Sequence, residues 1–246
     1  MRTVTRANLS IVPRFKEEYS GRTTMRYHRL LILIAIVAGT VASFGQGRAL
    51  PAGGELAFMD EPSAYSPNSG FKSGLEKLDR RDYAGAVADF SNAIETHPTF
   101  EELYFYRGMA KGYMGDNRGA VEDFTLAIEN GPGYYEAYLH RAITLYFMKD
   151  YRGTLADCSD ALEINPKLAK AWRYRGKALI QLGDPAAAVR DLDRAIELKP
   201  DDAEAYYFRG FSKYALGETE AGCLDFGVAA DLGNEEAARE KQRYCR

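Results

Sequence analysis

Opposite charges recur at a fixed interval along this sequence, and ion pairing is the chemistry they offer. Arginine stands at four positions spaced by 34 residues, and aspartate stands at five positions with the same spacing. They are Arg107, Arg141, Arg175 and Arg209, and Asp89, Asp123, Asp157, Asp191 and Asp225. An exposed pair contributes about 0–1 kcal/mol, whereas removing one partner of a buried pair costs about 3–5 kcal/mol. Two unrelated solvated charges would give the same pattern, so pairing is a hypothesis.

Side chains that commonly carry catalysis or bind metals are sparse. The three histidines form no spaced ligand pair, and the three cysteines are too few and too far apart for a zinc site. The sequence contains no glycine-rich phosphate loop, and no Ser, His and Asp set falls in a catalytic motif. We therefore expect no catalytic residue, no metal, no cofactor and no small-molecule substrate.

The charge balance argues against nucleic-acid binding. Eight of the 32 basic but only two of the 35 acidic side chains lie in the first 49 residues, which leaves 24 against 33 and a net charge of −9 for the rest. Nucleic-acid binding needs clustered positive charge to neutralise phosphates. The 246 residues, 46% of them hydrophobic, are enough to build a sizeable core.

The first 49 residues are predicted to be an N-terminal extension with an export signal. Residues 30–42 carry no charge and follow Arg26, His28 and Arg29, as in a signal peptide. A spanning helix needs about 20 apolar residues, so a membrane anchor formed by residues 30–45 is the alternative. Met25 would be a start that gives a signal of ordinary length. Residues 50–66, rich in Pro, Gly and Ser, are predicted to be a flexible linker.

A period of 34 residues organises the rest of the chain. Counting Glu101 as position 1 of a unit, position 27 is always alanine and position 8 is always glycine or alanine. Position 20 is small in every unit, position 32 is proline in four units, and position 4 is aromatic in four units. Apolar residues lie three and four apart within each unit, which predicts helices.

These positions resemble the tetratricopeptide repeat, a helix-turn-helix unit with small residues at 8, 20 and 27, an aromatic residue at 4 and proline at 32. The resemblance implies an all-α, right-handed superhelical solenoid of five repeats, residues 67–100, 101–134, 135–168, 169–202 and 203–234, followed by a capping helix at 235–246. Each unit has a first helix, called helix A, and a second helix, called helix B, which together form a helix hairpin. Each arginine lies at position 7 of helix A and would pair with an aspartate at position 23 of a neighbouring helix B. The family usually has an apolar residue at position 7, and the first unit has Ser73 there.

The resemblance also implies a concave groove lined by positions 2, 5, 9, 12 and 13 of the A helices, where a partner protein or peptide would bind. The candidate groove residues are Phe71, Phe105, Met109, Tyr113, Leu139, Ile143, Tyr146, Phe147, Lys170, Arg173, Lys177, Tyr207, Phe211 and Tyr214. Aromatic side chains provide large contact areas for a peptide. The alternative is that some of these side chains only seal neighbouring helices.

Three basic residues interrupt the aromatic pattern in the fourth unit. Lys170, Arg173 and Lys177 lie three and four apart, hence on one helix face. They could hold an acidic side chain or a terminal carboxylate of a partner, or they could form an ordinary solvated face. The lysine and asparagine clamp with which some family members bind chaperone C-termini is absent, so that role does not carry over.

The capping helix suggests a disulfide. Cys223 lies near the start of the last helix B and Cys245 near the end of the cap, and two antiparallel helices of about ten residues, rising about 1.5 Å per residue, would bring these ends together. In an oxidising compartment the bridge would contribute about 3 kcal/mol. Otherwise the two are independent small side chains.

The sequence therefore predicts an exported, periplasmic or secreted interaction protein that binds a peptide or protein segment as an adaptor or scaffold and has no enzymatic activity. It would meet a membrane only if the apolar segment is retained. The alternative is a self-associating structural scaffold without a free peptide groove.

Overall fold

A computed structural model describes residues 69–245 of the chain. Within this range the chain forms eleven helices and no strand. They are α1 (Ser69–Asp79), α2 (Tyr83–Thr96), α3 (Glu101–Met114), α4 (Asn117–Asn130), α5 (Tyr135–Phe147), α6 (Tyr151–Ile164), α7 (Ala169–Leu182), α8 (Pro185–Leu198), α9 (Ala203–Ala215), α10 (Thr219–Asp231) and α11 (Glu235–Tyr244). The predicted signal or anchor and the linker lie outside the described residues.

Each hairpin is set by two adjacent residues between its helices. An aspartate caps helix B in four repeats by accepting a hydrogen bond from a backbone N–H three residues later, as Asp116 does from Gly119 at 3.0 Å. The residue before the cap adopts the left-handed conformation that ends helix A. It is Gly115 (φ 89°), Gly183 (φ 86°) or Gly217 (φ 87°) in three repeats, because glycine reaches positive φ without steric cost.

Two repeats make the same turn without glycine. Arg81 and Lys149 adopt φ of 62° and 67°, a conformation that is uncommon for residues with a side chain. The aspartates that follow them, Asp82 and Asp150, accept the capping bonds at 3.0 and 2.9 Å. The turn geometry is therefore shared by all repeats even where the residue at the turn is not favourable.

The helices stack in chain order. Each helix packs on the next, from α1 on α2 to α10 on α11, and the A helices of neighbouring repeats (α1, α3, α5, α7 and α9) also contact one another. Such a stack, in which each unit touches only its neighbours, is a solenoid. The predicted all-α solenoid is confirmed.

Glycine at position 8 is needed where a large ring faces it across the hairpin. A Cβ on Gly108 would lie 3.0 Å from Cε1 of Phe124, and one on Gly210 would lie 2.9 Å from Cδ1 of Phe226. The third repeat has Ala142 instead, and there the facing residue is Cys158; both are fully buried in one cluster. The two helices thus keep their close approach by exchanging volume between the facing positions.

Candidate functional site

The repeated charges form a continuous set of ion pairs, here called the charge seam. Arg107 donates from Nε to Oδ2 of Asp123 at 2.9 Å and from Nη2 to Oδ1 at 2.7 Å. The same two-pronged pair joins the equivalent residues of the next three repeats. They are Arg141–Asp157, Arg175–Asp191 and Arg209–Asp225. In each case the aspartate belongs to helix B of the arginine's own repeat.

Each seam arginine also reaches back to the preceding repeat. Its remaining Nη1 donates to position 25 of the preceding helix B, as Arg141 does to Oγ1 of Thr125 at 2.9 Å. The other acceptors are Ser91, Ser159 and Asp193. These partners were not predicted from the sequence, although a side chain with an oxygen acceptor stands at position 25 in four successive units. The seam therefore ties neighbouring repeats together.

Further contacts saturate the seam. Each guanidinium carbon lies 4.5 to 5.8 Å from the centroid of the aromatic ring at position 4 of its helix, within cation–π range. The hydrogen bond to Asp157 raises the pKa of Arg141, and the bond to Asp191 does the same for Arg175. Each seam arginine thus makes three hydrogen bonds and one aromatic contact inside the stack, as expected of a structural element.

The first repeat replaces the arginine by a lysine from another position. Ser73 stands at position 7, and Asp89 instead pairs with Nζ of Lys77 at 2.7 Å. This pairing lowers the pKa of Asp89. Lysines at the same position 11 join the seam in two other repeats, where Lys111 and Lys213 lie 2.8 and 2.9 Å from the seam aspartates. The sequence analysis did not assign these lysines.

The cysteines divide into a linked pair and a buried thiol. Cys223 in α10 and Cys245 after α11 form a disulfide, with Cα atoms 5.6 Å apart. Cys158 is a free thiol in the core, and burial raises its pKa well above the ordinary value.

The candidate groove residues, here called the A-helix face, divide by depth. The buried ones are Phe105, Met109, Leu139, Ile143, Tyr146, Lys177 and Tyr207. Phe105 shows why, since its ring centroid lies 5.0 Å from that of Tyr134 and 5.1 Å from that of His140 in the next helix hairpin. Positions 5 and 9 therefore mostly pack between neighbouring A helices.

The remaining residues of the A-helix face keep part of their surface exposed. Phe71, Tyr113, Phe147, Lys170, Arg173 and Phe211 are half-buried, and Tyr214 is 37% exposed. Several of the aromatic ones lie near the ends of the A helices, where other rings support them. Tyr113 stacks on Tyr83 with ring centroids 4.7 Å apart, and Tyr214 lies 4.8 Å from Tyr244.

Arg173 and Lys177 of α7 are paired within the stack. Nη1 of Arg173 lies 3.1 Å from Oδ1 of Asp202 and also contacts Glu204. Nζ of Lys177 is 3.8 Å from Oε1 of Glu204. The same ammonium lies 4.6 to 4.9 Å from the ring centroids of Tyr146, Tyr174 and Phe208. These acidic partners come from the next repeat or the turn that leads into it, and the sequence analysis did not foresee them.

The A-helix face is acidic at position 2 of the second and third repeats. Glu102 and Glu136 occupy position 2 of neighbouring repeats. Burial raises the pKa of Glu102, and the nearby charges of Glu101 and Glu136 raise it further. Burial also raises the pKa of the adjacent phenols of Tyr106 and Tyr134. The charge at position 2 therefore varies from repeat to repeat, with Lys170 between Glu136 and Glu204, whereas the seam repeats one pattern.

Among residues 69–245, no group of three or more His, Cys, Asp and Glu side chains could hold a metal ion. In the same part of the chain, each helix is too short or too polar to cross a bilayer.

The stack of paired helices defines a helical-repeat solenoid. Residues 148–209 match the sequence profile of the tetratricopeptide repeat. This match supports, over residues 148–209, the resemblance that was predicted from the 34-residue period. Such repeats are protein–protein interaction modules.

Solved structures share this fold. MamA from Desulfovibrio magneticus RS-1, residues 41 to the end, is 18% identical, with a TM-score of 0.63 over 66% of this chain and 92% of that one. YrrB, "a TPR protein with an unusual peptide-binding site", is 17% identical, with a TM-score of 0.63 over 71% and 90%. A thermophilic repeat protein from Thermus thermophilus, TTC0263, is 18% identical, with a TM-score of 0.54 over 71% and 96%. Comparison with curated proteins gives no match.

Proposed function

We propose that this chain is an adaptor that binds a peptide or protein segment along its A-helix face, in the concave groove of the solenoid, and has no catalytic role. The proposal rests on a difference in exposure between side chains of the same A helices. Their buried positions complete the stack, while half-exposed aromatic residues recur at the ends of α3, α5 and α9. Large, rigid rings of this kind are typical anchors for a protein ligand.

The charged residues of the A-helix face predict the orientation in which the proposed ligand segment would bind. The face carries Glu102 in α3, Glu136 in α5 and Lys170 in α7. A segment with a basic residue near the first two and an acidic residue near Lys170 would match it, since complementary charge sets register more than affinity.

We further propose that the protein acts outside the cytoplasm, either exported or anchored by its apolar segment. The Cys223–Cys245 disulfide supports this, because disulfides persist in oxidising compartments. The peptide-binding site named for YrrB is a property of that protein, and it supports the proposal only as an example of what the fold can hold.

Site-directed photocrosslinking tests the proposed site. A photoreactive phenylalanine analogue would replace Phe147 or Tyr214 on the A-helix face, with exposed Glu122 of α4 as the matched control. We expect adducts with one partner segment from the two face positions and none from the control. The captured segment, made as a peptide, should bind about tenfold more weakly to Phe147→Ala, because single hot-spot side chains contribute on that scale. Equal adduct yields at Glu122, or unchanged affinity, would overturn the proposal.

Self-association as a scaffold is a second candidate, and one surface favours it. Leu224, Val228 and Leu232 are exposed along one side of α10, with Leu224 at 73% exposure. The equivalent residues of the fourth repeat are Arg190, Arg194 and Leu198. Crosslinks between two copies of the chain through position 224, with none from Phe147 or Tyr214, would favour this function over peptide binding.

A further inference from the structure

We propose that the Cys223–Cys245 disulfide is a redox latch. In the oxidised chain it holds α11 against the fifth repeat, and reduction by a dithiol releases α11 while the five repeats stay folded.

Helix α11 has little of its own to hold it in place. It spans ten residues, Glu235–Tyr244, of which only Ala237 is buried. Isolated helices shorter than about 12–15 residues are marginal in water. Asn234 caps the helix by accepting from the Ala237 N–H at 2.8 Å. Tyr244, which is only partly buried, packs against the same cluster as Ala237 and lies beside the ring of Tyr214.

The charge seam, which ties every helix A of repeats two to five to the preceding repeat, is interrupted at α11. Counted from the start of its helix, Lys241 occupies the place of the seam arginines. It lies beside Gly227, where a Cβ would be 3.4 Å from Nζ of Lys241. Gly227 stands at position 25 and has no side chain to accept a hydrogen bond. The disulfide therefore supplies the tie between repeats that the seam supplies elsewhere.

The bridge is strong enough to decide the position of α11. It joins cysteines 22 residues apart in sequence, and closing a loop of that size shifts a folding equilibrium on the order of a hundredfold. Applied to a short, polar helix, a shift of this size separates a docked state from a largely released one. Release would uncover the cluster formed by Tyr207, Phe226 and Ala229, which Ala237 now covers.

The chemistry needs a dithiol and no other reactant. One thiolate of the reductant attacks a sulfur of the bridge to give a mixed disulfide and one free cysteine thiolate. Its second thiolate then displaces the other cysteine, so two electrons pass to the protein and the reductant leaves as a disulfide. Both cysteines take up protons to become thiols. Cys223 and Cys245 are each part-exposed, whereas Cys158 is fully buried and does not compete.

Hydrogen exchange on the full chain tests the latch, with dithiothreitol as the dithiol. We expect amide exchange in Glu235–Tyr244 to rise at least tenfold on reduction, exchange in α3–α8 to stay unchanged, and protection of α11 to return on reoxidation. Oxidised dithiothreitol is the reagent control and should change nothing.

Matched variants identify the cysteines responsible. Cys223→Ser/Cys245→Ser should exchange like the reduced protein with or without dithiothreitol, and Cys158→Ala should respond to dithiothreitol as the unmodified chain does. Protection of α11 that changes less than twofold on reduction would overturn the proposal. Protection lost throughout the repeats would also overturn it, because the bridge would then support the whole fold instead of one helix.

Discussion

The charge seam and the A-helix face are built on the same helices, yet they follow opposite rules. Along the seam, four arginines bind four aspartates with nearly the same distances, and each reaches back to the preceding repeat. Along the face, position 2 changes from Glu102 and Glu136 to Lys170 and back to Glu204. What is repeated in this chain holds the stack together, and what departs from the repeat distinguishes one part of its surface from another.

The largest expected effect comes from breaking the seam. Asp123 is 2% exposed and is paired with both Arg107 and Lys111. Asp123→Ala should lower the free energy of unfolding by about 3 kcal/mol, because two partly buried cations lose their partner. Urea denaturation followed by circular dichroism measures it. The control is Glu122→Ala, an exposed neighbour on the same helix, for which we expect a change within about 0.5 kcal/mol. Equal effects of the two substitutions would show that the seam is not a structural element.

An intermediate effect on stability is expected from a substitution in the fifth repeat, at a position where its sequence differs from that of the other repeats. Gly222 stands where the other repeats have alanine or threonine, and a Cβ there would lie 2.8 Å from the backbone oxygen of Gly210. A backbone atom cannot rotate away, so Gly222→Ala should reduce the free energy of unfolding by about 1–2 kcal/mol through overpacking. Thermal unfolding of the oxidised protein measures the change.

Gly227 in the same helix provides the matched substitution of opposite sign. A Cβ there meets only the flexible end of Lys241, at 3.4 Å. Gly227→Ala should therefore stabilise the protein by up to about 1 kcal/mol, the helix-propensity difference between the two residues. Destabilisation by both substitutions to the same degree would refute the packing argument for Gly222.

The sequence predicts contacts that form within one repeat, but it does not predict contacts between two repeats. The 34-residue period indicated the helix hairpins, and the offset between positions 7 and 23 lies within a single hairpin. The acceptors at position 25 and the pairing of Arg173 with Asp202 join different helix hairpins. They depend on how far one hairpin is shifted against the next, which no spacing along a helix encodes. The same shift decides that Phe105 and Ile143 are buried while Phe147 is not. The export signal, the anchor and the linker fall in residues 1–66 and stay predictions.

The smallest expected effect is on the pH dependence of stability. It distinguishes the charge seam from the A-helix face most directly. The raised pKa of Glu102 means that its ionised form is less stable in the folded chain than in the unfolded chain. This penalty is present at neutral pH and disappears as the pH falls through the raised pKa toward the ordinary value of 4.5. Glu102→Gln should therefore stabilise the protein slightly at pH 7 and not at pH 4, as chemical denaturation at the two values would show.

Asp89 in the seam should behave in the opposite way. Its pKa is lowered by Lys77, so the stability it contributes is present above the ordinary value of 3.8 and is lost as the pH falls through the lowered pKa. Asp89→Asn should then destabilise at pH 7, whereas Glu102→Gln stabilises, and exposed Glu129→Gln should do neither. If Asp89→Asn and Glu102→Gln shifted stability in the same direction at pH 7, the carboxylates of the face would be structural in the same sense as those of the seam, and the distinction between the two surfaces would fail.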